Sequence, residues 1–285
     1  MKFTKTIIFY MLIFPLILLG CSKLMSENSN NLMIGSSQVS PKDGMLLMYV
    51  PAGNFTMGWN GGKADEQPEH KVHLDAFWID QTEITVGQYR MCVEAGVCGH
   101  PQQGVHHLRN SSEMRRSYYD NEDYFDYPVI FVNWSQANTY CEWAGRRLPT
   151  EAEWEKAARG TDGRLYPWGD EEPNPSLLNF DGNIGDTTRV GSYPAGASPY
   201  GALDMAGNVW EWVQDWYDSE YYKESPKRNP TGPETGLFFI ERGGSFKKSE
   251  RSVRATYRHW YIPPLVGNHV VSHSYDGFRC AVSVE

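Results

Sequence analysis

The chain has no excess of positive charge and few long apolar runs. Its 285 residues include 26 Lys and Arg against 35 Asp and Glu, which gives a formal net charge of −9. Nucleic-acid binding requires a clustered basic surface, so this composition argues against nucleic acid as a partner. The apolar content of 40% fits neither a disordered chain nor a membrane channel. We therefore expect a folded domain with a full hydrophobic core.

Aromatic residues and glycines are abundant instead, with 10 Trp, 17 Tyr and 27 Gly. This combination is typical of a loop-rich fold, in which large rings fill a core that regular elements do not tile. Three capping boxes predict helices that begin after Thr85, Asn133 and Thr150 and end at Gly96, Gly145 and Gly160. Short strands are predicted within 45–52, 71–80, 238–244 and 277–284. The fold class is α+β with a high share of irregular structure.

The first 21 residues indicate export. Lys2 and Lys5 precede an apolar stretch that is short for a membrane-spanning helix and contains Pro15. The sequence Leu-Leu-Gly-Cys that ends at Cys21 resembles the cleavage box of bacterial lipoproteins. We expect a signal peptide (1–20), a lipidated Cys21 with a flexible Ser- and Asn-rich tether (21–44), and a folded domain (45–285). The protein is then anchored by lipid to a bacterial membrane, periplasmic or at the cell surface. The alternative is an ordinary signal peptide with an accidental Cys.

The four remaining cysteines form an even set, which predicts two disulfides in an oxidising compartment. Three pairings are possible. Cys92 and Cys98 are close in sequence and are expected to close a local loop, which leaves Cys141 to pair with Cys280. A metal site fits poorly, because no two cysteines have C-x-x-C spacing.

Several segments together resemble the formylglycine-generating, sulfatase-modifying factor family. They are MYVPAGNFTMG (48–58), FWIDQTEITVGQYR (77–90), PVIFVNWSQANTYCEWAGRRLPTEAEWEKAARG (128–160), YPWGDEEP (166–173), YGALDMAGNVWEWVQDWY (200–217), RGGSF (242–246) and GFRCAVS (277–283). The resemblance covers nearly all of 45–285 and implies a variant of the C-type lectin fold that is poor in regular elements. It also implies the pairing of Cys141 with Cys280.

The stretch after RGGSF lacks the cysteines that this resemblance would lead one to expect. The family's oxidising enzymes carry two copper-binding cysteines just after GGS, whereas this chain has KKSERSVRATYR at 247–258. Soft Cu(I) needs thiolate or thioether ligands, so copper binding and formylglycine formation are not expected. The alternative is an enzyme that modifies an exported protein through Cys92 and Cys98. His259, His269 and His273 have no ligand spacing typical of a metal triad and are expected to be surface or hydrogen-bonding residues.

The resemblance implies structural calcium, since the family has sites that combine backbone carbonyls with a few side chains. One site uses the side chains of Asp204 and Glu211 with the carbonyls of Gly207 and Val209. A second uses the side chains of Asn179 and Asp181 with the carbonyls of Phe180 and Asn183. The alternative is that GNVWEW (207–212) is only a packed turn.

These observations predict a non-catalytic binding domain or an envelope assembly protein whose ligand is a protein, peptide or glycan. The membrane is contacted through the lipid anchor only. The ligand-binding face is predicted to comprise Lys248, Arg251, Arg258, Trp260, Tyr261 and Tyr275. The other signature residues are expected to be scaffold, with tryptophans in the core and Arg147, Glu151, Glu153, Arg242 and Arg279 in polar pairs.

Overall fold

The computed structural model describes residues 32–101, 111–261 and 273–284. The predicted signal peptide, Cys21 and most of the tether lie outside these residues, as do residues 262–272, which include His269. Within the described part, no helix is long and apolar enough to cross a membrane.

The three predicted helices are confirmed. They are α1 (Val86–Glu94), α2 (Trp134–Trp143) and α3 (Glu151–Arg159), and each begins with the capping box that predicted it. In each box the N-cap side chain accepts from the backbone N–H three residues on, and the side chain at that position accepts from the N-cap N–H. A fourth helix, α4 (Tyr221–Glu224), has a single turn.

The first sheet joins four antiparallel strands in the order β1 (Ser37–Val39), β2 (Leu46–Val50), β5 (Phe77–Asp80) and β10 (Ala281–Ser283). Strand β1 lies within the segment that the sequence predicted to be a tether. The boundary at residue 45 is therefore too late. The pattern missed β1 because all three of its residues are exposed and none belongs to an apolar alternation.

A hairpin and a second sheet complete the domain. The hairpin pairs β3 (Gly53–Met57) with β4 (His70–Leu74), so the predicted strand at 71–80 is in fact two strands, β4 and β5. The second sheet has the order β8 (His259–Tyr261), β7 (Phe239–Arg242), β6 (Trp210–Trp216) and β9 (Asp276–Phe278). Strand β6 pairs parallel with β9 and antiparallel with β7. The last three residues of GNVWEW (210–212) therefore begin a central strand, whereas residues 207–209 form the bend that precedes it.

Aromatic rings fill the core, as the composition indicated. Trp154, Trp210 and Trp212 are buried, whereas Trp134, Trp143 and Trp168 are half-buried. Both predicted disulfides are present. Cys92–Cys98 closes the turn after α1, and Cys141–Cys280 joins α2 to the residue before β10. The second sheet carries the candidate functional site at its β8 edge.

Candidate functional site

A cavity of about 410 Å³ lies along strands β7 and β8, and we call it the aromatic pocket. Five of the six residues predicted for the ligand-binding face line it. The complete lining is Lys63, Glu241, Lys248, Arg258, His259, Trp260, Tyr261, His273 and Tyr275. The sheet register explains this arrangement, because Glu241 on β7 pairs directly with His259 on β8.

Two buried carboxylates, that of Glu241 in the pocket lining and that of Asp276 on β9, are each hydrogen-bonded to a histidine that lines the pocket. The Nδ1 of His259 is 3.0 Å from Oε2 of Glu241, and the Nδ1 of His273 is 3.1 Å from Oδ2 of Asp276. Within the described residues, Oε1 of Glu241 and Oδ1 of Asp276 have no hydrogen-bond partner. Burial and the neighbouring Asp276 raise the pKa of Glu241 well above its ordinary value. Burial and the positive charge of Lys248 lower the pKa of His259 to about 4, so its imidazole is neutral at pH 7.

Aromatic rings form the rim of the pocket. The Trp260 side chain is 41% exposed and packs on Phe238, with ring centroids 4.4 Å apart. Tyr275 stacks on His273 at 4.9 Å, and Tyr261 contacts the same imidazole edge-on at 4.9 Å. Large rings with accessible faces are the contact residues that binding sites favour. The rim therefore offers ring faces, whereas the floor offers hydrogen-bond acceptors.

Arg258 has a different role from the one predicted. Its side chain is fully buried, with Nε 2.8 Å from Oε1 of Glu151 and Nη2 3.0 Å from Oε2. Its Nη1 donates to the carbonyl of Asp65 at 2.9 Å. Arg258 therefore fixes the wall of the pocket, and its charge is already neutralised by Glu151.

Glu151 also accepts a hydrogen bond from Nη1 of Arg242 at 2.6 Å, so two buried guanidinium groups share one carboxylate. Burial alone would raise the pKa of Glu151, but Arg258 and Arg242 outweigh that effect and hold it below its ordinary value. The other predicted polar pairs are also present, with Arg147 on Glu153 and Arg279 on Glu211. The predicted polar pairs of these residues are confirmed.

A second cavity, of about 390 Å³, contains Arg251, the sixth predicted face residue, and we call it the basic pocket. Its complete lining is Gly61, Gly62, Lys63, Ser249, Arg251, Ser252, Arg254 and Tyr257. Lys63 lines both pockets, so the two cavities adjoin at this side chain.

The carboxylates of the first predicted calcium set have too few positively charged partners to balance their negative charge. Both oxygens of Glu211 accept from Arg279, at 2.6 and 2.7 Å. Asp204 is buried and accepts from the N–H of Gly191 at 2.5 Å. Beside it lies Glu83, fully buried, whose two oxygens have no hydrogen-bond partner among the described residues.

Burial and the nearby acids raise the pKa of both Glu83 and Asp204, that of Asp204 to about 6. Three buried acids therefore face a single guanidinium, that of Arg279. Among residues 32–101, 111–261 and 273–284, no group of three or more His, Cys, Asp or Glu is arranged to hold a metal by itself. A hard cation here would need backbone carbonyls as well, which is the mixed ligand set that calcium accepts.

The residues of the second predicted calcium set differ in exposure. Asn179 is fully buried, and its Nδ2 donates to the carbonyl of Asp186 at 2.8 Å, whereas Asp181 is exposed. Asp181 has a positive φ of 52°, the left-handed conformation that Asp adopts more readily than most residues. The buried carboxylate of this segment is Asp186, which lies five residues further along than the spacing suggested.

Lys63, Glu241 and Glu83 were missed as site residues. Lys63 lies in a surface turn that precedes the basic segment by more than 180 residues, and no local pattern connects the two. The sequence could have indicated Glu241 as a site residue, because an acid in the middle of a predicted strand requires a partner when it is buried. Glu83 had no such signal, because it lies beyond the predicted strand 71–80, between Thr82 and Ile84.

Comparison with known proteins gives one family. The model of the sulfatase-modifying factor enzyme 1-like domain matches residues 33–284. The serine/threonine-protein kinase pkn1 of Chlamydia pneumoniae is 40% identical over 84% of this chain, but the match covers only 38% of that kinase. The formylglycine-generating enzyme of Streptomyces coelicolor is 36% identical over 85% of this chain and 90% of its own length. PvdO from Pseudomonas aeruginosa has a TM-score of 0.73 at 24% identity and covers 89% of this chain and 100% of its own, which shows the shared fold.

Proposed function

The chain belongs to the sulfatase-modifying factor family, and we propose that it is a non-catalytic member that binds a protein, peptide or glycan in the aromatic pocket. One observation carries the proposal. The segment after RGGSF contributes Lys248 and Arg258 to this pocket and no cysteine. The four cysteines of the described residues are paired in two disulfides, and none of them lines either pocket.

The pocket has the chemistry of a recognition site. Trp260 and Tyr261 offer ring faces, and the unpartnered oxygen of Glu241 accepts a hydroxyl or amide donor. Lys248 donates no side-chain hydrogen bond to any described residue and lies 5.8 Å from the centre of the Tyr275 ring. Donors, an acceptor and stacking surfaces thus meet in a volume typical of ligand pockets.

We further propose that the protein acts outside the cytoplasm, anchored to a bacterial membrane through lipid on Cys21. Support comes from the charged and apolar pattern of residues 1–20 and from two disulfides of the kind that oxidising compartments preserve. In this proposal the membrane is contacted through the anchor only, and a role in envelope assembly is one form of the binding function.

Calcium is the cofactor that we propose for the fold, with a structural role. Asp204 and Glu83 would hold it through their carboxylates, together with the carbonyls of Gly207 and Val209. The support is the unbalanced negative charge of Glu83, Asp204 and Glu211. A divalent cation would supply that charge balance, and the buried residues around it would be held more tightly.

We expect calcium at about 100 times its dissociation constant to add about 2.7 kcal/mol to the free energy of unfolding. Glu83→Gln should remove most of this gain, because it takes away one carboxylate without changing the volume. Thermal unfolding with calcium or with EDTA measures both values. Glu142→Gln, an exposed change on α2, is the matched control and should keep the full gain. An equal gain in Glu83→Gln would exclude this site.

The binding function is tested with glycan and peptide arrays probed with the full-length chain in a nonionic detergent. We expect Trp260→Ala to weaken the strongest array ligand at least about tenfold, because truncation of a central aromatic contact costs roughly 2 kcal/mol or more. Met91→Ala is the control, since Met91 is 42% exposed on α1 and lines neither pocket. Equal affinity of the two variants would contradict the aromatic pocket as the binding site.

A second arm separates binding from enzymatic activity. The protein is incubated with copper, oxygen and a peptide that bears Cys-x-Pro-x-Arg, next to an active formylglycine-generating enzyme. Mass spectrometry should detect no aldehyde. Conversion of the peptide cysteine would overturn the non-catalytic proposal and would direct attention to Cys92 and Cys98.

A further inference from the structure

We propose that the basic pocket is an anion subsite, which takes a phosphate, sulfate or carboxylate group of the ligand held in the aromatic pocket. The inference rests on the proposed binding function, because it treats the two cavities as parts of one face. It adds the chemical class of the ligand, which is a molecule with an anionic substituent next to the part that occupies the aromatic pocket.

A buried guanidinium forms one wall of the basic pocket. Arg254 is only 9% exposed, and its ring contacts are Trp59 at 5.0 Å and Tyr257 at 5.8 Å. Its Nη2 donates to Oε1 of Glu66 at 2.7 Å, whereas its buried Nε has no hydrogen-bond partner in the part of the chain that the structure describes. An unpaired buried donor is costly, and an oxyanion is an acceptor that suits it. Arg254 is therefore a fixed, incompletely satisfied donor at this cavity.

Glu66 fixes the position of Arg254 and is itself closely packed. Its second carboxylate oxygen accepts from the hydroxyl of Thr256 at 2.8 Å. The neighbouring backbone is Gly62, where an added Cβ would lie 2.3 Å from Oε2 of Glu66. Glycine thus allows the turn to pass directly over the carboxylate, which positions the guanidinium without blocking the cavity.

The charges of the pocket do not cancel. Lys63 pairs with Asp65 at 3.3 Å, and Arg254 pairs with Glu66. Arg251 is exposed and forms no ion pair with any residue that the structure describes. Three cations are therefore matched by two acids, and one positive charge is left for a ligand. This excess occurs in a chain of net charge −9, so it is local and not a property of the whole surface.

Lys63 connects the two cavities. Its Nζ donates to the carbonyl of Arg258 at 3.1 Å and lies 4.7 Å from the centre of the Tyr257 ring. Tyr257 lines the basic pocket, whereas Arg258 lines the aromatic one. Because the two cavities adjoin at Lys63, the proposed ligand would stack on the aromatic rim and place its anionic substituent past Lys63 in the basic pocket. Ser249 and Ser252 also line the basic pocket, and their hydroxyls are further hydrogen-bond donors.

The test uses inorganic anions, so that it does not depend on the unknown ligand. Sodium phosphate, sulfate and acetate are titrated into the full-length chain by calorimetry at constant ionic strength, with sodium chloride as the reference. We expect one saturable anion site for at least one of the three. Arg251→Gln should weaken anion binding about tenfold, because the variant loses one charge-assisted hydrogen bond to the anion. Arg251→Lys should retain part of the affinity, because the ammonium keeps the charge but not the planar fork.

Two controls separate this inference from the proposed function. Arg116→Gln removes an exposed arginine outside both pockets and should leave the anion affinity within about twofold, since one distant surface charge is largely screened. Trp260→Ala should leave the anion affinity unchanged, although this substitution is expected to weaken binding of the array ligand. No saturable heat above the chloride reference, or equal losses in Arg251→Gln and Arg116→Gln, would overturn the inference. Anion binding without any array ligand would instead overturn only the proposed function.

Discussion

Removal of the Cys141–Cys280 disulfide is expected to lower the free energy of unfolding by about 5 kcal/mol. The bridge spans 139 residues, so its loss releases a long loop in the unfolded chain, whose entropy then favours unfolding. Both cysteines are fully buried and join α2 to the segment that enters β10. Urea unfolding of the Cys141→Ala/Cys280→Ala variant, followed by tryptophan fluorescence, measures the loss.

The second disulfide provides a matched comparison. Cys92–Cys98 spans only six residues, so the same entropy argument assigns it about 2 kcal/mol. The Cys92→Ala/Cys98→Ala variant should therefore unfold well above the urea concentration that unfolds the first variant. Equal losses in the two variants would show that contacts in the folded state, and not the length of the closed loop, determine the effect.

Glu151→Gln is expected to destabilise the protein by about 3–5 kcal/mol, because removal of one partner from a buried ion pair leaves charge uncompensated. Two guanidinium groups depend on this carboxylate, those of Arg242 and Arg258. Glu155 still neutralises Arg242 through a 2.7 Å contact, so Arg258 bears most of the loss. Thermal and urea unfolding at neutral pH give the difference between wild type and variant.

The same variant has a defined pH dependence. The pKa of Glu151 is lowered in the folded state, so its contribution is present above the ordinary glutamate pKa of the unfolded chain. That contribution is lost as the pH falls through the lower folded pKa. The stability difference between wild type and Glu151→Gln should therefore shrink in acid. Glu220→Gln, which removes an exposed pair with Lys223, should change stability by less than about 1 kcal/mol at any pH. A difference that grows in acid would contradict the assigned ion pairs.

Helices and disulfides were predictable from the sequence because their signals are local or countable. A capping box lies within four residues, so Thr85, Asn133 and Thr150 identified all three longer helices. Strand pairing is not local. Strand β6 pairs with β9, which begins at Asp276, and no pattern within GNVWEW indicates that partner. Strand β1 is short and exposed, and its partner β2 begins seven residues after β1 ends, so no local pattern in β1 indicated it.

The sequence predicted most of the residues that line the aromatic pocket, but not the contacts that they make. The missing cysteines directed attention to 247–258, and five of the six predicted residues do line one cavity. Arg258 was misassigned because its partner, Glu151, is more than 100 residues away in sequence. Lys63 and Glu241 reach the site only through the folded arrangement of a distant turn and a central strand.

The segment after RGGSF divides into two halves with different exposure. Residues 247–252 are exposed or half-buried, whereas Val253, Arg254, Ala255, Thr256 and Arg258 are buried. The second half is held by Glu66 and Glu151, which lie on other parts of the fold. Replacement of a side chain at 247–252 therefore disturbs fewer buried contacts than replacement at 253–258, so the fold tolerates change in the first half at a lower cost in stability.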